Sequence, residues 1–336
     1  MSAEDIAVIG AGSYGTCLAV LFGHHGHRVS LYNRNPETTR EMEAVRENTA
    51  YLPGHKLPRS VTVTSDLEQC VRGKRFVLGV TPSHGIREVL GKAAAWMDPD
   101  AIVINASKGL EDGTLQTIDG VYRDVLPERI AARATYLSGP TFASELAAGM
   151  PAAIVLAGRD PETTLAAQAA LTGLNFRIYA TDDVAGVLLG GALKNVIAIG
   201  AGISDGMGFG SNTRIMLITR GLAEITRLGV LLGAHPQTFA GLSGMGDLVL
   251  TCSGDSSRNR RVGLALGQGK SMATILSEMT QVAEGVKTAK VAKALAAKLG
   301  CDAPIIDAMH AIIHEGVPVR DAMTRMLSRP PRMERD

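Results

Sequence analysis

The chain has 336 residues, 46% of them hydrophobic and 20% charged, with a formal net charge of +1. That composition supports a large core and excludes a disordered chain, and the near-neutral charge excludes bulk attraction to nucleic acid or to an anionic membrane surface. The four cysteines, Cys17, Cys70, Cys252 and Cys301, lie far apart with no CxxC pair, so no metal site, no redox motif and a reducing compartment are expected.

A strand pattern starts within six residues of Met1, which leaves no room for a signal peptide and points to the cytoplasm. Ile6–Ile9 is an apolar run, Gly12–His25 fits a helix with Leu18, Leu21 and Phe22 on one side, and Arg28–Tyr32 reads as a second strand. Between the first two stands GAGSYG, with Gly10, Gly12 and Gly15 in GxGxxG spacing. The pattern is weak alone, but between a strand and a helix it marks a dinucleotide turn. Gly10 permits the tight turn, Gly12 lets backbone N–H groups approach a pyrophosphate, and Gly15 lets helix pack on strand. The second strand ends in LYNRNPE, with no acid before Glu37 to hold a ribose 2′-hydroxyl. Arg34 suits a 2′-phosphate instead, which favours NADPH and leaves NADH open; stacking on adenine without discrimination is the competing reading.

Phe76–Val80 and Ile102–Asn105 are further strand-like runs, and Ala152–Ala157 and Phe176–Tyr179 extend the series. Asn105-Ala-Ser-Lys108-Gly109 follows one of these strands, where ligands of open α/β sheets sit, so Lys108 is a candidate for substrate contact. After about Thr181 strand patterns nearly vanish and Ala/Leu-rich helical stretches dominate. The expected architecture is a Rossmann-type doubly wound parallel sheet domain over 1–180, followed by an all-helical C-terminal domain over 181–336.

Val184–Ile203 is a run of twenty residues with one charge, Lys194. A membrane span is disfavoured by the central Lys-Asn pair and five glycines. A core helix whose lysine snorkels to the surface is the other plain reading. The adjacent Asn195 points instead to a polar pocket, in which desolvation pushes the amine toward its neutral form and fits it for proton transfer. Downstream, Asp247 stands in GMGDLVLT, where it reads either as a site acid or as a helix cap. Ser256-Ser257-Arg258-Asn259-Arg260-Arg261 mixes three arginines with small hydrogen-bonding residues, a combination that suits a phosphate, or else a solvated basic turn.

Taken together, GAGSYGT from Gly10, SKGLE from Ser107, LSGPTFASELAAG from Leu137, LGGALKNVIAIGAGISDGMGFGSNTR from Leu189, GDLVLTC from Gly246, SSRNRR from Ser256 and VAEGVKTAK from Val282 resemble the bacterial NAD(P)-dependent glycerol-3-phosphate dehydrogenases. The stretches run in family order over about residues 6 to 325. Ser107 stands where threonine is common and Met245 where leucine is common, and neither change removes a functional group. The resemblance implies interconversion of dihydroxyacetone phosphate and sn-glycerol 3-phosphate with NAD(P)H, supplying phospholipid synthesis. It implies that Ser13, Tyr14, Arg34, Tyr51, Ala143, Val282 and Glu284 hold the cofactor. It implies that Lys108 touches cofactor and substrate, that Gly139 and Thr141 bind substrate, and that Lys194 moves the proton with Asp247 beside it. Ser257, Arg258 and Asn259 would take the phosphate, Arg258 also reaching the cofactor. The oligomeric state is not legible, a homodimer being one option. The competing functions are a related dehydrogenase for another hydroxy acid and a non-catalytic cofactor sensor, for which a buried lysine would have no use.

Overall fold

The computed structural model describes residues 3–279, 283–331 and 333–334. Eight strands form one sheet: β1 (Asp5–Ile9), β2 (Arg28–Tyr32), β3 (Val61–Thr64), β4 (Phe76–Gly79), β5 (Ile102–Asn105), β6 (Thr135–Ser138), β7 (Ala152–Gly158) and β8 (Phe176–Thr181). Their order is β3-β2-β1-β4-β5-β6-β7-β8. Neighbours are parallel except β6 and β7, which run antiparallel. Ile6, Ala7, Val8 and Ile9 are all buried, because helices cover both faces of a parallel sheet; the strand therefore reads as a continuous apolar run. The strand order reverses between the parallel neighbours β1 and β4, with β2 and β3 added on one side and β5 onward on the other, and at such a point open α/β sheets bind ligands.

The structure bears out the Rossmann-type sheet followed by helices, and adds β3 and β6, which the sequence patterns did not single out. Both are four residues long and carry Thr or Ser, too short and mixed for a clear apolar run. The sheet ends at Thr181 and the long helix Val184–Gly206 begins three residues later. Among the described residues no strand follows.

That 23-residue helix is the axis of the second half. Helices Ser211–Leu231, Asp247–Ser253, Arg258–Gly267 and Glu284–Leu299 pack around it. It has the length and hydropathy of a membrane span, yet 94% of its most apolar window is buried inside the protein. The apolar character all round thus reflects a core helix.

Its tightest contact is with helix Arg258–Gly267. A Cβ built on Gly202 would lie 2.0 Å from the Arg260 carbonyl oxygen, and one on Gly263 would lie 1.9 Å from that of Ile199. The two backbones touch because neither helix has a side chain at the crossing. Gly200, two residues away, faces only the end of the Met309 side chain, with the sulfur 3.3 Å and Cε 3.7 Å from a built Cβ.

These neighbouring glycines predict opposite behaviour. Gly202→Ala should destabilise by about 2–4 kcal/mol, since backbone must shift to admit the methyl. Gly200→Ala should stay within about 1 kcal/mol of the parent, because methionine yields and alanine favours the helix. Urea unfolding of the two variants checks this; equal midpoints would mean that the crossing is loose.

Candidate active site

The glycine-rich turn sits at the end of β1. Gly10 has φ +121°, a left-handed conformation that favours glycine, and a Cβ on Gly15 would lie 1.8 Å from the Gly10 carbonyl oxygen. Around Gly12 a built Cβ would meet nothing within 4 Å. Helix Ser13–His24 starts there without a side-chain cap, so its first N–H groups are offered to an anion. The residues present therefore fit a dinucleotide pyrophosphate. Asn48, which sequence reasoning missed, holds this turn: its buried amide donates to the Ala11 carbonyl and the Thr16 hydroxyl, both at 2.8 Å. An isolated asparagine in a polar stretch carries no signal of such a role.

Arg34 is exposed just beyond β2, where Asn35 accepts from the Glu37 and Thr38 N–H groups and so caps the next helix. Tyr51 is also exposed, and its backbone N–H donates to Asn48 at 3.2 Å. Tyr14 accepts from the Thr141 hydroxyl at 3.2 Å, which ties the first helix to the loop after β6; burial pushes its phenol up. Ala143 opens the short helix Ala143–Ala147, packed on Ser13–His24.

The chemical centre is one carboxylate between two ammonium groups. Asp247 is 1% exposed and accepts from Lys194 through Oδ1 and from Lys108 through Oδ2, the latter at 2.5 Å. Lys194 also donates to the Thr251 hydroxyl at 2.8 Å, and that hydroxyl donates to the Asp247 carbonyl at 2.6 Å. Lys108 further donates to the Gly139 carbonyl at 3.1 Å. Lys194 does not snorkel; it is 7% exposed. Asp247 is not a cap either: it is the first residue of its helix, and its side chain makes no cap bond.

Local backbone explains this convergence. A π-helical turn, Leu242–Gly246, runs directly into Asp247. It sits against Gly190, where a Cβ would come within 2.5 Å of the Ser243 carbonyl oxygen. One helical turn beyond Gly190 is Lys194. On the sheet side, Ser107 donates to the Thr81 carbonyl at 2.6 Å, fixing the segment that carries Lys108.

Burial draws the Lys194 pKa down to about 8, while the Asp247 charge opposes that shift and the Lys108 charge adds to it. A single carboxylate cannot balance two ammonium ions, so the more deeply buried amine is the one poised to release its proton.

The arginine segment divides. Ser257 caps helix Arg258–Gly267 by accepting from the Arg260 N–H at 3.2 Å, and keeps its own proton to donate. Arg258 is exposed and has Glu284 as its nearest opposite charge. Asn259 is buried, donates to Asn195 at 2.9 Å and accepts from the Gly285 N–H at 2.9 Å. Arg260 turns away to Asp205, at 2.7 Å, and Asp255, so it is not one of a phosphate-facing trio. Glu284 receives the Ser83 hydroxyl at 2.7 Å. Val282 lies outside the described residues. Thr251, which ends the stretch GMGDLVLT and has no role assigned from the sequence, sits in an apolar helix one turn after Asp247, a spacing that puts it on the same face.

A family model described as NAD-dependent glycerol-3-phosphate dehydrogenase N-terminus matches residues 5–164, and its C-terminus counterpart matches residues 183–324. A glycerol-3-phosphate dehydrogenase (NAD(P)+) of Geobacter sp. (strain M21) is 51% identical over 97% of this chain and 98% of its own length. The protein of the same name from Myxococcus xanthus is 46% identical over 98% of each chain. The crystal structure of a glycerol-3-phosphate dehydrogenase from Coxiella burnetii superimposes with a TM-score of 0.92 at 36% identity, covering 97% of this chain and 99% of that one.

The shared carboxylate predicts a titration. Lys194 should titrate near pH 8, against 10.5 for an ordinary lysine. Asp247→Asn removes the charge that favours the ammonium form, so its midpoint should fall below that of the parent. Side-chain NMR of the lysine ε-carbons reads both; a midpoint that stays or rises in the variant would show that Asp247 does not govern the amine.

Proposed function

The chain belongs to the NAD-dependent glycerol-3-phosphate dehydrogenase family and interconverts dihydroxyacetone phosphate and sn-glycerol 3-phosphate with NAD(P)H, and we propose that Lys194 is its acid–base group. The observation that carries this assignment is the carboxylate of Asp247 shared by Lys194 and Lys108. The nicotinamide cofactor, when bound, supplies the hydride to the substrate ketone carbon, or takes it back. Lys194 holds the proton that the carbonyl oxygen needs as it becomes negative, and donates it from Nζ. In the reverse direction the neutral amine removes the hydroxyl proton, a form that burial keeps within reach. Asp247 aims the ammonium group and Thr251 limits its rotation. Lys108, held on Gly139, adds a second positive charge facing the oxygen.

Ser257, Arg258 and Asn259 are assigned to the substrate phosphate, with Gly139 and Thr141 along the carbon chain. Arg258 offers the bidentate charge, Ser257 a hydroxyl proton, and Asn259 one amide proton besides the one it spends on Asn195. Binding at the phosphate positions the carbon skeleton far from the bond being made. Gly10, Gly12, Ser13, Tyr14 and Gly15 take the cofactor pyrophosphate end, Arg34 and Tyr51 the adenosine end, and Ala143, Val282 and Glu284 the nicotinamide side. The exposed guanidinium of Arg34 supports a preference for NADPH, with NADH also used. Residues 1–180 form the dinucleotide-binding domain and 181–336 the domain that carries Lys194 and the phosphate residues, and each domain also lends residues to the other ligand. Glycerol 3-phosphate is the backbone of phospholipids, so the reaction feeds their synthesis. We place the enzyme in the cytoplasm; among the described residues the one span-like helix is buried core.

Lys194→Met preserves much of the side-chain volume and removes the proton. Turnover should fall at least about a hundredfold, with NADPH binding by fluorescence nearly unchanged. Retention of a tenth of the parent rate would exclude Lys194 as the acid.

Arg258→Ala tests the phosphate assignment on two substrates at saturating NADPH. On dihydroxyacetone phosphate kcat/KM should fall by about 2–4 kcal/mol, and on dihydroxyacetone by under about 1 kcal/mol. Equal losses would mean that the arginine orders its helix start and that the phosphate binds elsewhere.

A further inference from the structure

Ser83 lies at the seam between the sheet and the helices. It stands four residues past the end of β4, in the short turn Ser83–Gly85, and is 6% exposed. Its hydroxyl donates to Glu284 Oε2 at 2.7 Å and its backbone N–H donates to Glu284 Oε1 at 3.3 Å. One carboxylate thus takes both donors of a residue 201 positions away.

Each end of this link is built into a part of the site. On the sheet side, Ser107 donates to the carbonyls of Gly79 and Thr81, which holds the chain entering Ser83. Gly109 passes so close that a Cβ there would lie 2.7 Å from the Ser83 Cβ. On the helical side, Glu284 is the first residue of helix Glu284–Leu299. The next residue, Gly285, donates to Asn259, and Asn259 donates to Asn195. Asn195 adjoins Lys194, and Asn259 adjoins Arg258, whose opposite charge is Glu284. Hydrogen bonds joined by short stretches of backbone therefore lead from the end of β4 to the residue beside the acid–base lysine.

We propose that Ser83 is a positioning residue: by anchoring Glu284 it sets where the Arg258 and Lys194 helices stand relative to the cofactor turn. Hydride transfer requires donor and acceptor carbons in near contact, and the residues assigned to cofactor and substrate come from both halves of the fold. A two-pronged bond to a carboxylate fixes orientation as well as distance. Among the other bonds that cross here, Lys108 to Asp247 at 2.5 Å belongs to the acid–base centre itself, and Lys290 to Asp112 at 3.0 Å has its side chains 57% and 61% exposed and can hold little.

The proposal rests on the assignment of Glu284 to the nicotinamide side of the cofactor, and the two fail differently. Loss of that assignment shows in the unmodified enzyme, whereas loss of this proposal shows only among variants. The experiment compares Ser83→Ala, Glu284→Ala, the double variant and Lys290→Ala. It reads kcat, KM for dihydroxyacetone phosphate, NADPH affinity by fluorescence, and thermal midpoint. Ser83→Ala should lower kcat about tenfold and weaken NADPH binding, with KM for the other substrate changing less and the thermal midpoint unchanged. In the Glu284→Ala background the same substitution should do nothing more, because its partner is already gone. Lys290→Ala should match the parent. Parental kcat and NADPH affinity in Ser83→Ala would overturn the proposal. So would losses that multiply in the double variant, or a fall in kcat matched by a fall in thermal midpoint.

Discussion

A carboxylate that must serve two ammonium groups away from water organises this protein. Asp247 bonds Lys194 with one oxygen and Lys108 with the other. In bulk solvent such an arrangement would be worth little and would be screened. Buried, it leaves an excess positive charge that the protein relieves most readily by loosening one proton. Lys194 is the deeper amine, and its pKa falls to about 8 for that reason. The same imbalance that makes the pair expensive to bury makes it suited to passing a proton to an oxygen that is gaining charge.

Holding three such groups together requires backbone, since long lysine stems are flexible. The π-helical turn before Asp247 rests on Gly190, and the helix crossing at Gly202 and Gly263 brings two backbones into contact. Close approach of this kind leaves no side chain to re-pack, so displacement in one helix is felt in the other. The start of helix Arg258–Gly267 is delivered beside Asn195 by that crossing, and the Asn259–Asn195 bond fastens it. Arg260, bonded to Asp205 of the long helix, fastens the same crossing with a charge pair.

The sheet supplies the other half. Its parallel strands end on one edge, so the turns after β1, β4, β5 and β6 bring Gly12, Ser83, Lys108 and Thr141 to a common rim. Small polar bonds lace that rim together: Thr141 to Tyr14, Ser107 to Thr81, Asn48 to Ala11. The rim meets the helices at Glu284 and Asp247.

What the sequence determined by itself was everything local in pattern. The buried strand Ile6–Ile9, the glycine turn, Arg28–Tyr32 and the long apolar helix each follow from periodicity and from residue types that tolerate few alternatives. Lys194 could be singled out because a lone charge in an apolar run is costly wherever it lies. The short strands β3 and β6 were not legible, since four residues containing Thr or Ser lack a distinct period. Partners were not legible either. Asp247 reads equally as a cap, and Arg260 equally as a phosphate ligand, until the fold shows one facing two lysines and the other facing Asp205. Asn48 and Ser83 carry no signal in the chain because their roles consist of hydrogen bonds to atoms distant in sequence or common to every residue, and Thr251 offers only its place one turn after Asp247. Tertiary structure alone chose those partners, because a hydrogen bond depends on a distance of about 3 Å, and spacing along the chain does not encode that distance.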